Sequence, residues 1–203
     1  MNNHDTNNAA NSTNRTRILW ITQTAIFIAL LVTSQHVTAP MSQFVTGSIV
    51  NFILVAATIL VGVTSGVVIG VVSPIFAYII LGMPIFPVII PFIMVGNAAL
   101  VVAVHLISAK VYKNLGLRDY VRLDYVKIVV AIVAGSVLKF LVLWLGVVHI
   151  ALPFLIPNAL PPQVAAMSHA FSWPQLVTAL IGSTVAMLSM PHLVRALKLS
   201  RKG

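Results

Sequence analysis

The chain is predicted to be an all-α membrane protein, a bundle of six transmembrane helices with both termini in the cytoplasm. Three observations predict this fold class. The mean hydropathy is +1.03. Of the 203 residues, 59% are hydrophobic and only 7% are charged, whereas about a quarter of the residues in a soluble domain carry a charge. Finally, apolar stretches of the length needed to cross roughly 30 Å of hydrocarbon recur along the chain.

The six predicted spans lie at about residues 18–34, 45–61, 65–81, 91–109, 127–148 and 174–193. Residues 45–82 form one apolar region that is too long for a single helix, and we expect it to break between Gly62 and Gly66. The proline-rich segment before Pro91 is predicted to be a loop, with Pro91 in the first turn of the fourth span. Outside this 18–194 domain we predict a disordered tail at 1–17 and a basic tail at 195–203.

Basic residues predict the orientation of the bundle. They gather before the first span at Arg15 and Arg17, between the fourth and fifth spans at 110–127, and after the sixth span at 195–202. Six spans put these regions on one side, which the positive-inside rule identifies as the cytoplasm. We therefore assign the net charge of +9 to contacts with anionic lipid and not to nucleic-acid binding. The opposite loops, at about 35–44, 82–90 and 149–173, carry no charge, and the last is long enough to cover a cavity.

Lys139 departs from this distribution because it lies inside the fifth span, in the run GSVLKFLVLWLG. A cation in hydrocarbon costs at least a few kcal/mol unless it reaches water or finds a partner. At about 1.5 Å per residue, Lys139 is roughly 13 Å below the outer edge. We interpret it as the anchor of an anion site. The alternative is a structural cation held by carbonyl groups at helix ends.

Other polar side chains in the spans are expected to face the interior of the bundle, because an unsatisfied amide in hydrocarbon costs several kcal/mol. Asn51, Asn97 and Gln175 are the main candidates for substrate contacts. Their alternative role is to bond one helix to another, which contributes about 1 kcal/mol or less. His105 favours that structural role because it lies near the cytoplasmic end. We complete the predicted substrate site with Gln43, Thr46 and Trp144.

The chain lacks the residues that several classes of protein function require. The chain has no Cys, and its acidic residues, Asp5, Asp119 and Asp124, all lie outside the predicted spans. No GxSxG or P-loop motif is present. We therefore predict a protein that is not an enzyme, with no catalytic residues, metal site or cofactor. An autonomous proton-driven pump is also disfavoured, because proton relays usually need carboxylates or histidines within the membrane.

Four motifs carry a resemblance to a known family: Ala25-xxx-Ala29 in the first span, FVTGSIVN at 44–51, SP at 73–74 and PFIMVGNA at 91–98. With six spans in about 200 residues, the chain resembles the substrate-binding S-component of an energy-coupling factor vitamin transporter. The resemblance implies a subunit that captures a vitamin at the outer side of a bacterial cytoplasmic membrane. It would then topple against a transmembrane coupling protein, while two partner ATPases supply the energy. It also implies that Ala25 and Ala29 contact the coupling protein.

The resemblance and Lys139 together predict a small anionic vitamin as the ligand. The pattern is most similar to the family members assigned to pantothenate. The hydroxyl and amide groups of this vitamin are expected to form hydrogen bonds with Asn51, Asn97 and Gln175. Folate and a cobalamin remain open. The competing interpretation is an accessory membrane protein with no small-molecule ligand, in which Lys139 has only a packing role.

Overall fold

A computed structural model describes the backbone of residues 3–113 and 122–200 and the side chains of residues 13–112 and 123–190. Its described residues form helices and connecting turns, with no strand. The α-helices are α1 (Asn3–Thr38), α2 (Gln43–Leu60), α3 (Val63–Leu81), α4 (Ile90–Lys113), α5 (Arg122–Leu143), α6 (Pro161–Ala170) and α7 (Trp173–Ser200). A 3₁₀ turn (Pro87–Ile89) precedes α4, and a π-helical segment (Trp144–Leu155) continues α5.

The predicted fold class is confirmed, since six helical segments are long and apolar enough to cross a membrane. Their outer surfaces are apolar, as in Leu106 and Ile79, which are 76% and 70% exposed. The predicted break in the long apolar region is also present, because α2 ends at Leu60 and α3 begins at Val63. Gly62 between them has φ of 127°, a backbone conformation that side chains with a β-carbon rarely adopt.

The ends of the helices differ from the predictions in two places. α1 begins at Asn3, whereas residues 1–17 were predicted to form a disordered tail. The sequence of α1 contains no Gly or Pro, the two residues that most disfavour a helix. The predicted outer loop at 149–173 is largely helical. The π-helical segment runs to Leu155, and α6 starts at Pro161, where the first turn tolerates proline.

Some predicted features fall partly outside the described residues. α7 continues to Ser200, so most of the predicted basic tail at 195–203 is helical, and residues 201–203 lie outside the description. Residues 114–121 of the basic connection, which include Asp119, also lie outside it.

Helix packing forms three buried apolar clusters among the described residues, and two of them lie at different levels of the bundle. One cluster joins α2, α4, α5 and α7 in the half that carries the chain termini, and includes Val55, Leu100 and Met187. A second lies at the opposite end around Ile89, Leu143 and Phe171. Among all pairs of helices, α2 packs most extensively against α7, and α4 against α5. A cavity at this second end shares Leu143, Met167 and Phe171 with the second cluster.

Candidate ligand cavity around Lys139

A cavity of about 300 Å³ lies at the end of the bundle opposite the chain termini. Its wall is formed by the C-terminal parts of α1, α3 and α5, the N-terminal parts of α2, α4 and α7, and the end of α6. Most of the wall is apolar. The polar side chains that line it are Gln35, Gln43, Thr46, Asn51, Ser73, Asn97, Lys139 and Gln175.

Lys139 is the charged group of this cavity, and it is held by two asparagines. Its side chain is 3% exposed, and its Nζ donates to Oδ1 of Asn51 at 2.6 Å and to Oδ1 of Asn97 at 2.8 Å. Because an ammonium group can only donate, these contacts fix which side of each amide faces it. The three residues come from α5, α2 and α4, so the cluster forms only when the bundle assembles.

No carboxylate balances this cation within the described part of the chain. Asp124 is buried in the first turn of α5, at the other end of the helix from Lys139. It precedes Lys139 by 15 positions on the same helix, which corresponds to about 22 Å along the axis. Among the described residues, no group of three or more His, Cys, Asp or Glu could hold a metal ion.

Asn97 has a second role that explains its position. Its Nδ2 donates to the backbone oxygen of Gly70 in α3 at 3.0 Å. In a regular helix that oxygen would accept from the N–H of residue 74, but residue 74 is Pro74 and has no N–H. Asn97 therefore supplies the donor that the proline removes, and this bond fixes its amide while Oδ1 faces Lys139.

Asn51 is positioned by a close approach of two helix backbones. A β-carbon at Gly182 in α7 would collide with the backbone oxygen of Ser48 and lie 2.7 Å from Cβ of Asn51. Only glycine lets α7 approach α2 this closely at this level. The Nδ2 of Asn51 donates to the backbone oxygen of Gly47 in its own helix at 2.8 Å. Since its Oδ1 accepts from Lys139, both polar atoms of the amide are held.

The C-terminal end of α6 forms part of the cavity wall and is held by two glutamines. Nε2 of Gln43 and Nε2 of Gln175 donate to the backbone oxygen of Ala170, at 2.5 Å and 3.1 Å. That oxygen belongs to the last turn of α6, where helix carbonyls lack partners in their own helix. Gln43 and Gln175 thus tie α6 to the starts of α2 and α7.

The structure brings six of the seven predicted substrate residues to this cavity: Gln43, Thr46, Asn51, Asn97, Lys139 and Gln175. The exception is Trp144. Its ring is 4.4 Å from that of His149 and 6.1 Å from that of Phe140, and it does not line the cavity. It lies five positions after Lys139, which places the two side chains on different faces of the helix.

Sequence reasoning missed several wall residues. Gln35, Ser73, Pro74, Met167 and Phe171 line the cavity but were not assigned to it. The pairing of Gly70 with Pro74 is the one available signal, because a proline within a span leaves a carbonyl that a side chain from another helix must satisfy. The apolar wall residues carry no such signal.

The predicted partner residues, Ala25 and Ala29, are exposed on the surface of α1. In the most apolar part of α1 only 11% of the residues are buried, against 33–44% in the other five spans. The first span is therefore the one that packs least against the rest of the bundle. By contrast, Gly66 and Gly70 face inward, because β-carbons there would meet Thr58 and Asn97.

Comparisons with known proteins give no further assignment: no family model, no curated protein and no solved structure matches this chain.

Proposed function

We propose that this protein is the substrate-capture subunit of an ATP-driven vitamin transporter of the energy-coupling factor type, in the cytoplasmic membrane of a bacterium. It binds a small anionic vitamin, with pantothenate as the best candidate, and delivers it by toppling against a transmembrane coupling protein. Two partner ATPases supply the energy. The observation that carries the proposal is a buried lysine that faces a cavity at one end of the bundle and has two amide partners but, among the described residues, no carboxylate partner.

The position of the cavity supports capture from outside. The described basic residues Arg17, in the first half of α1, and Lys110, near the end of α4, lie toward the opposite end, which the positive-inside rule assigns to the cytoplasm. A cavity at the outer end with the end of a short helix in its wall suits a subunit that collects a ligand before transport. The sparsely buried face of α1, with Ala25 and Ala29 exposed, supports docking of another membrane helix, because small residues permit close backbone approach.

The size of the cavity bears on the identity of the vitamin. A volume of about 300 Å³ is at the low end of the range for small-molecule pockets, roughly 300–1,000 Å³. This favours a compact vitamin over a cobalamin, which is many times larger. Folate is disfavoured because it adds a second carboxylate and a long ring system.

Mass spectrometry of the denatured, purified protein tests the proposal. A capture subunit should release a small anionic vitamin in near-stoichiometric amount, and less from the Lys139→Met variant. If wild-type protein carries no vitamin and binds none on addition, the accessory-protein interpretation replaces this one.

A further inference from the structure

We propose that the cavity takes a singly charged carboxylate with a compact, uncharged body, and that Asn51 and Asn97 position the Lys139 ammonium group to receive it. This inference rests on the proposed capture function and specifies the chemical class of the ligand. It follows from the number of charges in the site, the hydrogen-bond donors that remain unused, and the nature of the wall.

The first step is the charge balance. Among the described residues that line the cavity, Lys139 is the only one with a charged side chain. A ligand with one negative charge neutralises it. A dianion, such as a phosphate ester, would leave one charge without a partner in a largely apolar cavity, and an isolated buried charge is strongly disfavoured. A cationic ligand would face repulsion from Lys139.

The second step concerns hydrogen bonds. Lys139 uses two of its three N–H groups on the asparagine oxygens. Each asparagine uses one of its two N–H groups on a backbone oxygen, at Gly47 and Gly70. The cluster therefore retains one N–H on each of the three residues. A carboxylate has two oxygens that accept several hydrogen bonds, so it complements a group of donors.

The third step concerns the rest of the ligand. The wall beyond the cluster is formed mainly by apolar side chains, including Val50, Leu81, Ile93 and Phe171. The amides of Gln43 and Gln175 are engaged with Ala170. An uncharged, compact body of mixed apolar and weakly polar character fits this wall, because burying further charge there would have no compensation.

Matched probes test the charge requirement on the purified full-length protein in lipid nanodiscs. The first pair is pantothenate and panthenol, and the second is biotin and biotinol; in each alcohol a neutral hydroxymethyl group replaces the carboxylate. We expect at least one acid to bind on the order of a hundredfold more tightly than its alcohol. Lys139→Met should reduce this preference to within a few-fold. The control Lys127→Met, on the same helix but outside the cavity, should leave it unchanged.

A second variant separates charge recognition from packing. Asn51→Asp is nearly isosteric and places a carboxylate beside Lys139 Nζ, so the protein would supply its own counter-charge. We expect the folded variant to lose the preference for the acid and to bind the alcohol at least as well. A folded Asn51→Asp variant that keeps the preference for the acid would show that the Lys139 charge does not recognise the carboxylate, and the inference would be overturned.

The remaining outcomes are distinct. Equal affinity of the wild type for acid and alcohol overturns the inference but leaves the capture function intact. Equal binding of pantothenate and 4′-phosphopantothenate overturns the limit to a single charge. If none of the probes binds and no vitamin co-purifies, the proposed function fails, and this inference fails with it.

Discussion

Nζ of Lys139 lies 2.6 Å from Oδ1 of Asn51, and this contact joins α5 to α2 across 88 positions of the chain. A second contact of the same kind joins Lys139 to Asn97 in α4. The cation is therefore fixed by dipoles and not by an opposite charge. Such an arrangement keeps the lysine inside the bundle while leaving its charge available to a ligand.

We expect Asn97→Leu to destabilise the protein more than Asn51→Leu. Both variants remove one partner of Lys139, but only Asn97 also satisfies the Gly70 oxygen that Pro74 leaves without its helical donor. Leaving a buried polar group unpaired costs about 1–3 kcal/mol. Thermal unfolding in detergent would measure the difference.

The double variant Pro74→Ala/Asn97→Leu gives a sharper test of the same relationship. Alanine at position 74 restores the N–H that can bond to Gly70, so the cost of Asn97→Leu should fall by about 1 kcal/mol in this background. An unchanged cost would show that the bond from Asn97 to Gly70 does not replace the missing helical bond.

A second prediction concerns the contact between α2 and α7. In Gly182→Ala the new β-carbon would meet backbone atoms of Ser48 and Phe52, which cannot rotate away. We expect a loss of about 1–3 kcal/mol in stability and weaker ligand binding, because the helix that carries Asn51 must shift. Gly47→Ala is the matched control for stability in the same interface, since the atoms nearest to its β-carbon would belong to the side chain of Thr178. Similar unfolding temperatures for the two variants would contradict this account.

The six spans were predictable because membrane-crossing helices need long apolar stretches, and the break near Gly62 follows from the length of the second stretch. Lys139, Asn51 and Asn97 could be selected as candidates because buried polar groups in a membrane need partners. Their mutual contacts were not predictable, since residues 88 and 42 positions apart are brought together only by packing. Trp144, five positions after Lys139, lies on a different face of the helix and does not line the cavity, a separation that proximity in sequence does not reveal.

The helical structure between the fifth and sixth predicted spans was harder to predict. α6 and the π-helical segment lie in a proline-rich stretch that resembles a loop by composition. In the folded protein the end of α6 accepts hydrogen bonds from Gln43 and Gln175 at the backbone oxygen of Ala170. Such contacts between distant parts of the chain cannot be predicted from composition alone.

A third prediction is that α6 controls escape of the ligand. The variant Gln43→Leu/Gln175→Leu removes both donors to the Ala170 oxygen, so α6 should open more often. Two neutral hydrogen bonds contribute about 1–3 kcal/mol together, and we expect dissociation of the vitamin to be faster by roughly tenfold or more. Filter-binding or stopped-flow measurements of dissociation would show this.

Hydrogen exchange gives an independent measure of the same movement. Added vitamin should increase protection at residues 35–44 and 161–173 in the wild type, and less in the double glutamine variant. Gln163→Leu is the control, because Gln163 bonds to Leu160 at the other end of α6 and does not line the cavity. Equal dissociation rates in all three proteins would show that α6 is a passive connector.

The last prediction separates ligand capture from transport. Ala25→Leu/Ala29→Leu adds volume to the exposed face of α1, where the coupling protein is proposed to dock, and helices that approach closely cannot accommodate it. Since α1 packs little against the bundle and these residues do not line the cavity, vitamin binding in detergent should be unchanged. Pull-down of the coupling protein and ATP-dependent uptake should be lost. Val133→Leu/Val137→Leu, an equivalent exposed pair on α5, should retain both activities. Full uptake by the alanine variant would place the interface elsewhere, and loss of vitamin binding would show that Ala25 and Ala29 stabilise the fold itself.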